Sequence, residues 1–228
     1  MHRHFIDYKN DYNLQAADCS IICETRFAPW NNNTLYQIDD VLFFRNDDIV
    51  KEQGERPYYG MAIYSRETFA SRFTKKNNLY GVEITIVKFK NYSNLMVAGV
   101  YNSPRISLQN LYLAISNLIH LLEDSKYSII MGDFNVNLLG HSQNKTILQR
   151  MFQQSGYQQH ITEYTTDNRT LIDHIYSNLP LQTLLLVFLK HITVITKEFT
   201  LQLINMNLIS KLLELNQLYK HIEIIYST

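Results

Sequence analysis

The chain has 228 residues with 21 Lys+Arg against 21 Asp+Glu, a formal net charge of zero, which excludes a uniformly basic nucleic-acid binder and leaves room only for a local basic groove. Hydrophobic residues make up 46% and charged residues 18%, which excludes a disordered chain. Gly at 7 and Pro at 4 exclude collagen-like and linker-rich readings, and the length suits one domain with a sizeable core.

Residues 1–20 are polar and irregular, and the opening Met1-His2-Arg3-His4 lacks the apolar segment of a secretory signal. Cys19 and Cys23 are too few for a disulfide framework and read as small buried residues of a reduced compartment. Ile21-Ile22-Cys23 is a short apolar run that ends on Glu24-Thr25-Arg26. Leu35–Ile38 and Val41–Arg45 are strand-like and flank Asp39-Asp40, which predicts a hairpin. Tyr58–Ser65, Tyr80–Phe89 and Leu95–Tyr101 are further strands, the second alternating Val82, Ile84 and Ile86 against Glu83 and Thr85. Arg66, Arg72, Lys75 and Lys76, with Phe69 and Phe73 interleaved, read as a solvated loop with two anchoring aromatics. A strip contacting a phosphate backbone is the alternative.

Ser107 caps a predicted helix with Leu108, Leu111, Tyr112, Ile115, Leu118, Ile119 and Leu122 at a 3.6-residue period. Ser128–Met131 is a short buried strand ending on Gly132-Asp133-Phe134-Asn135. A second helix covers about Gln143–Ser155, stopped by Gly156, and Thr170–Tyr176 is another strand. Strands separated by helices predict an α/β fold with a mixed sheet. Residues 181–228 change character: no Gly and no Asp occur there, and Leu, Ile, Lys, Asn and Thr dominate. The apolar run Leu184–Leu189 stops at Lys190, too short to span a bilayer, so the chain reads as soluble and intracellular, with no membrane partner. The predicted division is one domain over 1–180 and an aberrant tail over 181–228.

Glu24 and Asp133 both stand where buried strands run out, and in an open α/β sheet the crevice beyond the strand ends is where ligands bind. Carboxylates gathered there repel one another unless a hard cation neutralises them, and Mg²⁺ is the expected ion, with Mn²⁺ as a substitute. Asn135, two residues past Asp133, shares its face on an extended segment and offers an amide to a phosphate oxygen. Taken singly, Glu24 is a solvated strand end and Gly132–Asn135 a fair turn.

The order of the pieces says more. Ile21-Ile22-Cys23-Glu24-Thr25, then Tyr59-Gly60-Met61-Ala62-Ile63-Tyr64-Ser65, then Val97-Ala98-Gly99-Val100-Tyr101, then Ile130-Met131-Gly132-Asp133-Phe134-Asn135, and last Thr170-Leu171-Ile172-Asp173-His174-Ile175 follow one another along the chain. This set resembles the endonuclease/exonuclease/phosphatase superfamily over about residues 17–180. The nearest flavour is that of endonuclease domains of mobile elements, both non-LTR retrotransposons and helicase-bearing transposons. The resemblance implies a four-layer α/β sandwich of two mixed sheets flanked by helices, incomplete here at both ends. It implies that Glu24 binds the metal, with Asp133 beside it. Asp133 orients the nucleophilic water, Asn135 and Tyr101 hold the phosphate, and Asp173 orients a catalytic His. DNA is the implied partner, and the nucleus the implied compartment.

Two departures follow. The family's first strand carries an Asn, whereas residues 1–16 offer Asn10 and Asn13 without a preceding buried strand, so that strand reads as truncated. The family's closing Ser-Asp-His triplet occurs nowhere in the chain. Asp173-His174 belongs to the earlier motif, with His174 read as a structural imidazole. For Phe188–Lys197, one permissible codon choice, entered at its third base, reads Phe-Glu-Thr-Tyr-Tyr-Ser-Asp-His-Lys. The tail after about 186 is therefore expected to be out of frame, packing poorly or forming incidental helix. Arg26 and Arg105 are the candidate phosphate cations, and Trp30 a core residue or loop anchor. Three readings stay open: a metal-dependent nuclease, a phosphoesterase of the same fold acting on a small phosphorylated molecule or lipid headgroup, and a non-catalytic remnant.

Overall fold

Alternation along the strands builds two apolar layers in the computed structural model, which describes residues 9–10, 19–47, 57–67, 71–89, 95–140, 142–179 and 201–204. The elements are β1 (Cys19–Cys23), β2 (Val41–Asn46), β3 (Met61–Arg66), β4 (Ser71–Leu79), β5 (Val82–Phe89), β6 (Leu95–Tyr101), α1 (Leu108–Leu122), β7 (Tyr127–Asp133), α2 (Gln143–Gln154), β8 (Gln158–Gln159), β9 (Asp173–Ser177) and β10 (Leu201–Ile204). One sheet runs in the order β10-β1-β3-β2 with antiparallel neighbours. The other runs β4-β5-β6-β7-β9-β8, and there β6 and β7 are parallel, joined through α1. This is the α/β architecture of two sheets with flanking helices that the motif order implies. Among the described residues, no helix is long and apolar enough to cross a membrane.

The central strands are buried on both faces. Leu95, Val97 and Tyr101 of β6 meet Cys19, Ile21, Cys23, Met61 and Ile63 across the gap between the sheets. Met96, Ala98 and Val100 face the opposite way, onto Leu111, Ile115 and Leu118 of α1. Ser107 caps α1 by accepting from the Asn110 amide at 3.2 Å, and Ser142 caps α2 from the Lys145 amide at 3.1 Å. Phe152 of α2 stacks on Tyr176 of β9, with ring centroids 3.6 Å apart. Cys19 and Cys23, four apart on one strand face, are both buried, and neither is in a disulfide.

Gly99 is what lets the sheets come so close. A Cβ there would lie 2.9 Å from Met61 Sδ and 3.2 Å from Ile21 Cδ1, so β1 and β3 rest directly on the backbone of β6.

Several elements differ from the sequence expectation. Asn33–Tyr36 is a 3₁₀ turn rather than a strand, because the Asn32 side chain accepts from the Thr34 amide at 3.0 Å and closes the turn locally. Tyr36 is buried, and its carbonyl accepts from the Tyr64 hydroxyl at 3.0 Å. Of the stretch read as a solvated loop, Arg66 closes β3 and residues 72–76 lie in the strand β4, joined to β5 through Tyr80-Gly81, both at positive φ, with a bulge between Phe73 and Lys75. Tyr80 takes the left-handed conformation that a two-residue hairpin needs, which sequence preference disfavours outside Gly, Asn and Asp. Phe69 lies outside the described residues. β3 starts at Met61, three residues later than predicted, after Gly60 at φ +104.

The tail also departs from expectation where it is described. Residues 201–204 form β10 instead of helix, antiparallel to β1 with Cys19 opposite Ile204 and Ile22 opposite Leu201. An unpaired strand edge is a template for any nearby extended segment. The predicted boundary at 180/181 and the stretch 188–197 lie outside the described residues.

Gly99→Ala is expected to lower stability by about 1–3 kcal/mol, the range for overpacking a filled core. The denaturant midpoint measures it, and an unchanged midpoint would show that the inter-sheet contact is looser than the geometry states.

Candidate active site

Four side chains form one register row across the large sheet. Glu83 of β5 lies opposite Tyr101 of β6, Tyr101 opposite Asp133 of β7, and Asp133 opposite Asp173 of β9. Their strand parity turns them toward the small sheet, with Val87, Val97, Met131 and Ile175. β1 arrives from the other side and delivers Glu24 at its end, in the left-handed conformation at φ 55. The Tyr101 hydroxyl donates to Glu24 Oε1 at 3.0 Å, and Arg26 lies 3.6 Å from Glu24 Oε2. Glu24, Tyr101, Asp133 and Asp173 are thus brought to one crevice.

Asn135 is also there, by a different route from the predicted one. The chain leaves β7 at Asp133, and Asn135 sits at φ 50, not on an extended segment. Its side chain therefore turns back: Nδ2 donates to Asp133 Oδ2 at 3.1 Å and to the Asn102 carbonyl at 2.7 Å. The Asn135 amide donates to Asp133 Oδ1 at 2.9 Å. Gly132 makes this turn possible. It holds φ +146 in the strand, and a Cβ there would fall 1.8 Å from the Val100 carbonyl oxygen.

Burial pushes the Asp133 carboxyl well above the ordinary range, and the charge of Asp173 adds to this, with Glu24 contributing less. The two hydrogen bonds from Asn135 oppose the shift. Cys23 is raised mainly by burial and then by the charge of Asp133, so it stays a thiol. Burial, with Glu24 next to it, raises Tyr101 as well and keeps its phenol protonated as a donor.

His174 points away from this crevice. It stacks on Phe134 with centroids 4.7 Å apart, and its Nε2 sits 2.8 Å from the Val136 carbonyl. Burial lowers its pKa to about 4, so it is a neutral imidazole packed under the helices. Of the other described histidines, His160 contacts Ser177 at 2.9 Å and His120 contacts Glu123 at 2.9 Å. Trp30 is 41% exposed in the loop after β1.

Two residues escaped the sequence reading. Glu83 looks like the wet side of an alternating strand, yet it is buried and accepts from the Gly60 amide at 3.1 Å. A carboxylate between two valine- and isoleucine-rich positions is the only signal, and it is ambiguous without knowing that both faces are covered. Asn102 follows Tyr101 directly and ties β6 to the Asp133–Asn135 turn. Its amide donates to the Asp133 carbonyl at 2.8 Å, and its side chain donates to the Phe134 carbonyl at 2.9 Å. Beside Asn135, a cavity of about 490 Å³ opens between the loops leading into α1 and α2. Asn102, Pro104, Ile106, Asn137 and Ser142 are among its walls.

The Endonuclease/Exonuclease/phosphatase family model matches residues 9–187. Similar solved structures include the human Nocturnin catalytic domain with bound sulfate, at 10% identity and a TM-score of 0.58, over 78% of this chain and 75% of that one. D. rerio TDP2 complexed with single-strand DNA product is similar at 13% identity and a TM-score of 0.51, over 78% and 79%. The 3′ phosphatase NExo from Neisseria, bound to a product DNA hairpin, is similar at 14% identity and a TM-score of 0.51, over 70% and 76%. No curated protein matches the sequence significantly.

Asp133→Asn is expected to stabilise the protein at neutral pH, because it removes a buried charge repelled by its neighbours while keeping an acceptor for the Asn135 amide. A gain of one kcal/mol corresponds to about 2–4 °C in a chain of this size. Asp133 binds its proton more tightly folded than unfolded. Its cost is therefore complete above the raised pKa and is relieved as pH falls through that pKa. The melting-temperature gap between variant and parent should be widest at high pH and close on acidification. A gap independent of pH would show that Asp133 is not strained.

Proposed function

Because the chain belongs to the Endonuclease/Exonuclease/phosphatase family, we propose that it is a divalent-metal-dependent phosphodiesterase of the mobile-element endonuclease type, acting on DNA with a hydrolytic set that lacks the final Ser-Asp-His. Members of this family are hydrolases of the nuclease and phosphatase kinds and are generally metal dependent. The observation that carries the reading is the meeting of Glu24, Asp133 and Asp173 with two hydrogen-bond donors, Tyr101 and Asn135, in one crevice. Two of the similar structures hold DNA products, which supports DNA over a small phosphoester.

The donor set fits a hard cation. One buried carboxyl is driven toward its neutral form first by burial and then by the charges of Asp173 and Glu24, and a positive charge relieves that repulsion. Among the described residues, no group of three or more His, Cys, Asp or Glu forms a ready-made cage. Mg²⁺ needs only one or two carboxylates, completed by water and substrate phosphate, and Glu24 and Asp133 would hold it. Bound there, the ion supplies Lewis-acid polarisation of the phosphate and charge stabilisation at the leaving oxygen.

The chain's own residues do the rest. Asp133, aligned by the Asn135 amides, is placed to take the proton of the attacking water. Asn135 exchanges its bond to Asp133 Oδ2 for a phosphate oxygen, which frees that carboxylate oxygen for the water. Tyr101 donates to a second phosphate oxygen. Arg26, 45% exposed beside Glu24, draws the phosphate to the rim. Asp173 stands where a catalytic His is oriented in the family, and the sequence supplies no Ser-Asp-His to follow it. Protonation of the leaving oxygen then falls to solvent, and turnover is slow.

The same lack of Ser-Asp-His favours a second reading, a remnant that binds and does not cut. Plasmid nicking in Mg²⁺ or Mn²⁺, run beside inositol-phosphate release, decides between them. Slow nicking is expected, accelerated by free imidazole in place of the lacking His. Glu24→Ala should reduce it by at least about 100-fold with little change in melting temperature. Absence of nicking with and without imidazole establishes the remnant, and release of inositol phosphate alone establishes the small-substrate enzyme.

A further inference from the structure

Resting on the phosphodiesterase reading, we propose that Tyr58 and Arg105 form a stacking subsite for a nucleobase of single-stranded DNA at the rim of the crevice. Tyr58 is 57% exposed, and the Arg105 guanidinium lies 6.0 Å from its ring centroid. The ring belongs to a continuous aromatic path into the site. Tyr58 is 6.4 Å from Tyr59, Tyr59 is 6.2 Å from Tyr101, and the Tyr101 hydroxyl is on Glu24.

The segment that carries Tyr58 is fixed to the site's own backbone. The Arg26 amide donates to the Tyr59 carbonyl at 2.8 Å, and the Thr25 amide donates to the Gly60 carbonyl at 3.0 Å. The Gly60 amide donates to the buried Glu83 carboxylate at 3.1 Å. Tyr58 therefore keeps a set position relative to Glu24. Arg105 comes from the other side, on the loop that follows Tyr101, with its amide 3.4 Å from Ser103 Oγ.

Charge and chemistry select the ligand. The chain's net charge is zero, so no molecule-wide field holds a polyanion, and affinity for a strand must come from local contacts. An exposed phenol ring beside a guanidinium offers two planar groups to a base, and Arg26 beside Glu24 offers a cation to a phosphate. An inositol phosphate has no π-face to use there. Bases of a duplex already stack on one another, so an unpaired base is the one that gains from Tyr58.

The test uses the full chain with Ca²⁺ in place of Mg²⁺ and a short labelled oligo(dT), read by fluorescence anisotropy. Tyr58→Ala should weaken binding by about 5–100-fold, the range for losing one base–aromatic stack, while Tyr58→Phe stays within about three-fold of the parent. Arg105→Ala should weaken it as well, and an abasic strand should bind the parent as weakly as oligo(dT) binds Tyr58→Ala. Unchanged melting temperatures establish that the variants are folded. Equal binding by Tyr58→Ala, equal binding of the abasic strand, or no binding by the parent overturns the proposal. Hydrolysis of bis(4-nitrophenyl) phosphate reports separately on the phosphodiesterase reading, so the two ideas fail independently.

Discussion

Electrostatic repulsion among carboxylates that the fold forces together is the constraint on which the site depends. Three acidic side chains reach one crevice because Asp133 and Asp173 are register partners on β7 and β9, while β1 delivers Glu24 from the opposite sheet. Packing dictates that meeting. Met61 and Ile21 rest on the bare backbone at Gly99, which brings β1 and β3 close against β6. Burial and neighbouring charge then drive Asp133 toward its protonated form. Under the proposed function, a bound cation would offset the stability lost at this point.

The polar network around the carboxylates limits that cost without removing it. Asn135 gives both its backbone and side-chain amides to Asp133, and Asn102 holds Asn135 from behind. Each partner is neutral, so the arrangement aligns Asp133 without supplying the opposite charge that would lower its pKa to normal. Arg26 does supply a charge, but to Glu24 at the exposed edge. The gradient runs from a solvated, ion-paired carboxylate at the mouth to a buried, strained one inside.

Much of this was legible in the sequence, for identifiable reasons. Buried strands that stop on Glu24 and Asp133 announce a crevice at strand ends, and the 3.6-residue period of α1 fixes the helix that makes β6 and β7 parallel. Local patterning was less informative where the backbone takes unusual conformations. The Tyr80-Gly81 hairpin puts a tyrosine at positive φ, which propensity alone does not anticipate, and the left-handed turn at Asn135 breaks a run that reads as extended. Glu83 was hidden because alternation cannot distinguish a face turned to water from one turned to a second sheet. β10 was hidden because its place is fixed by the open edge of β1, a partner far away in sequence.

A carboxyl-carbon NMR titration of Asp133, without and with Mg²⁺, tests the central claim most directly. The account predicts a midpoint well above the ordinary aspartate range in the metal-free protein, falling by more than a unit when Mg²⁺ is added. An ordinary midpoint that Mg²⁺ leaves unmoved would contradict it, because the carboxylates would then neither strain one another nor gather a cation.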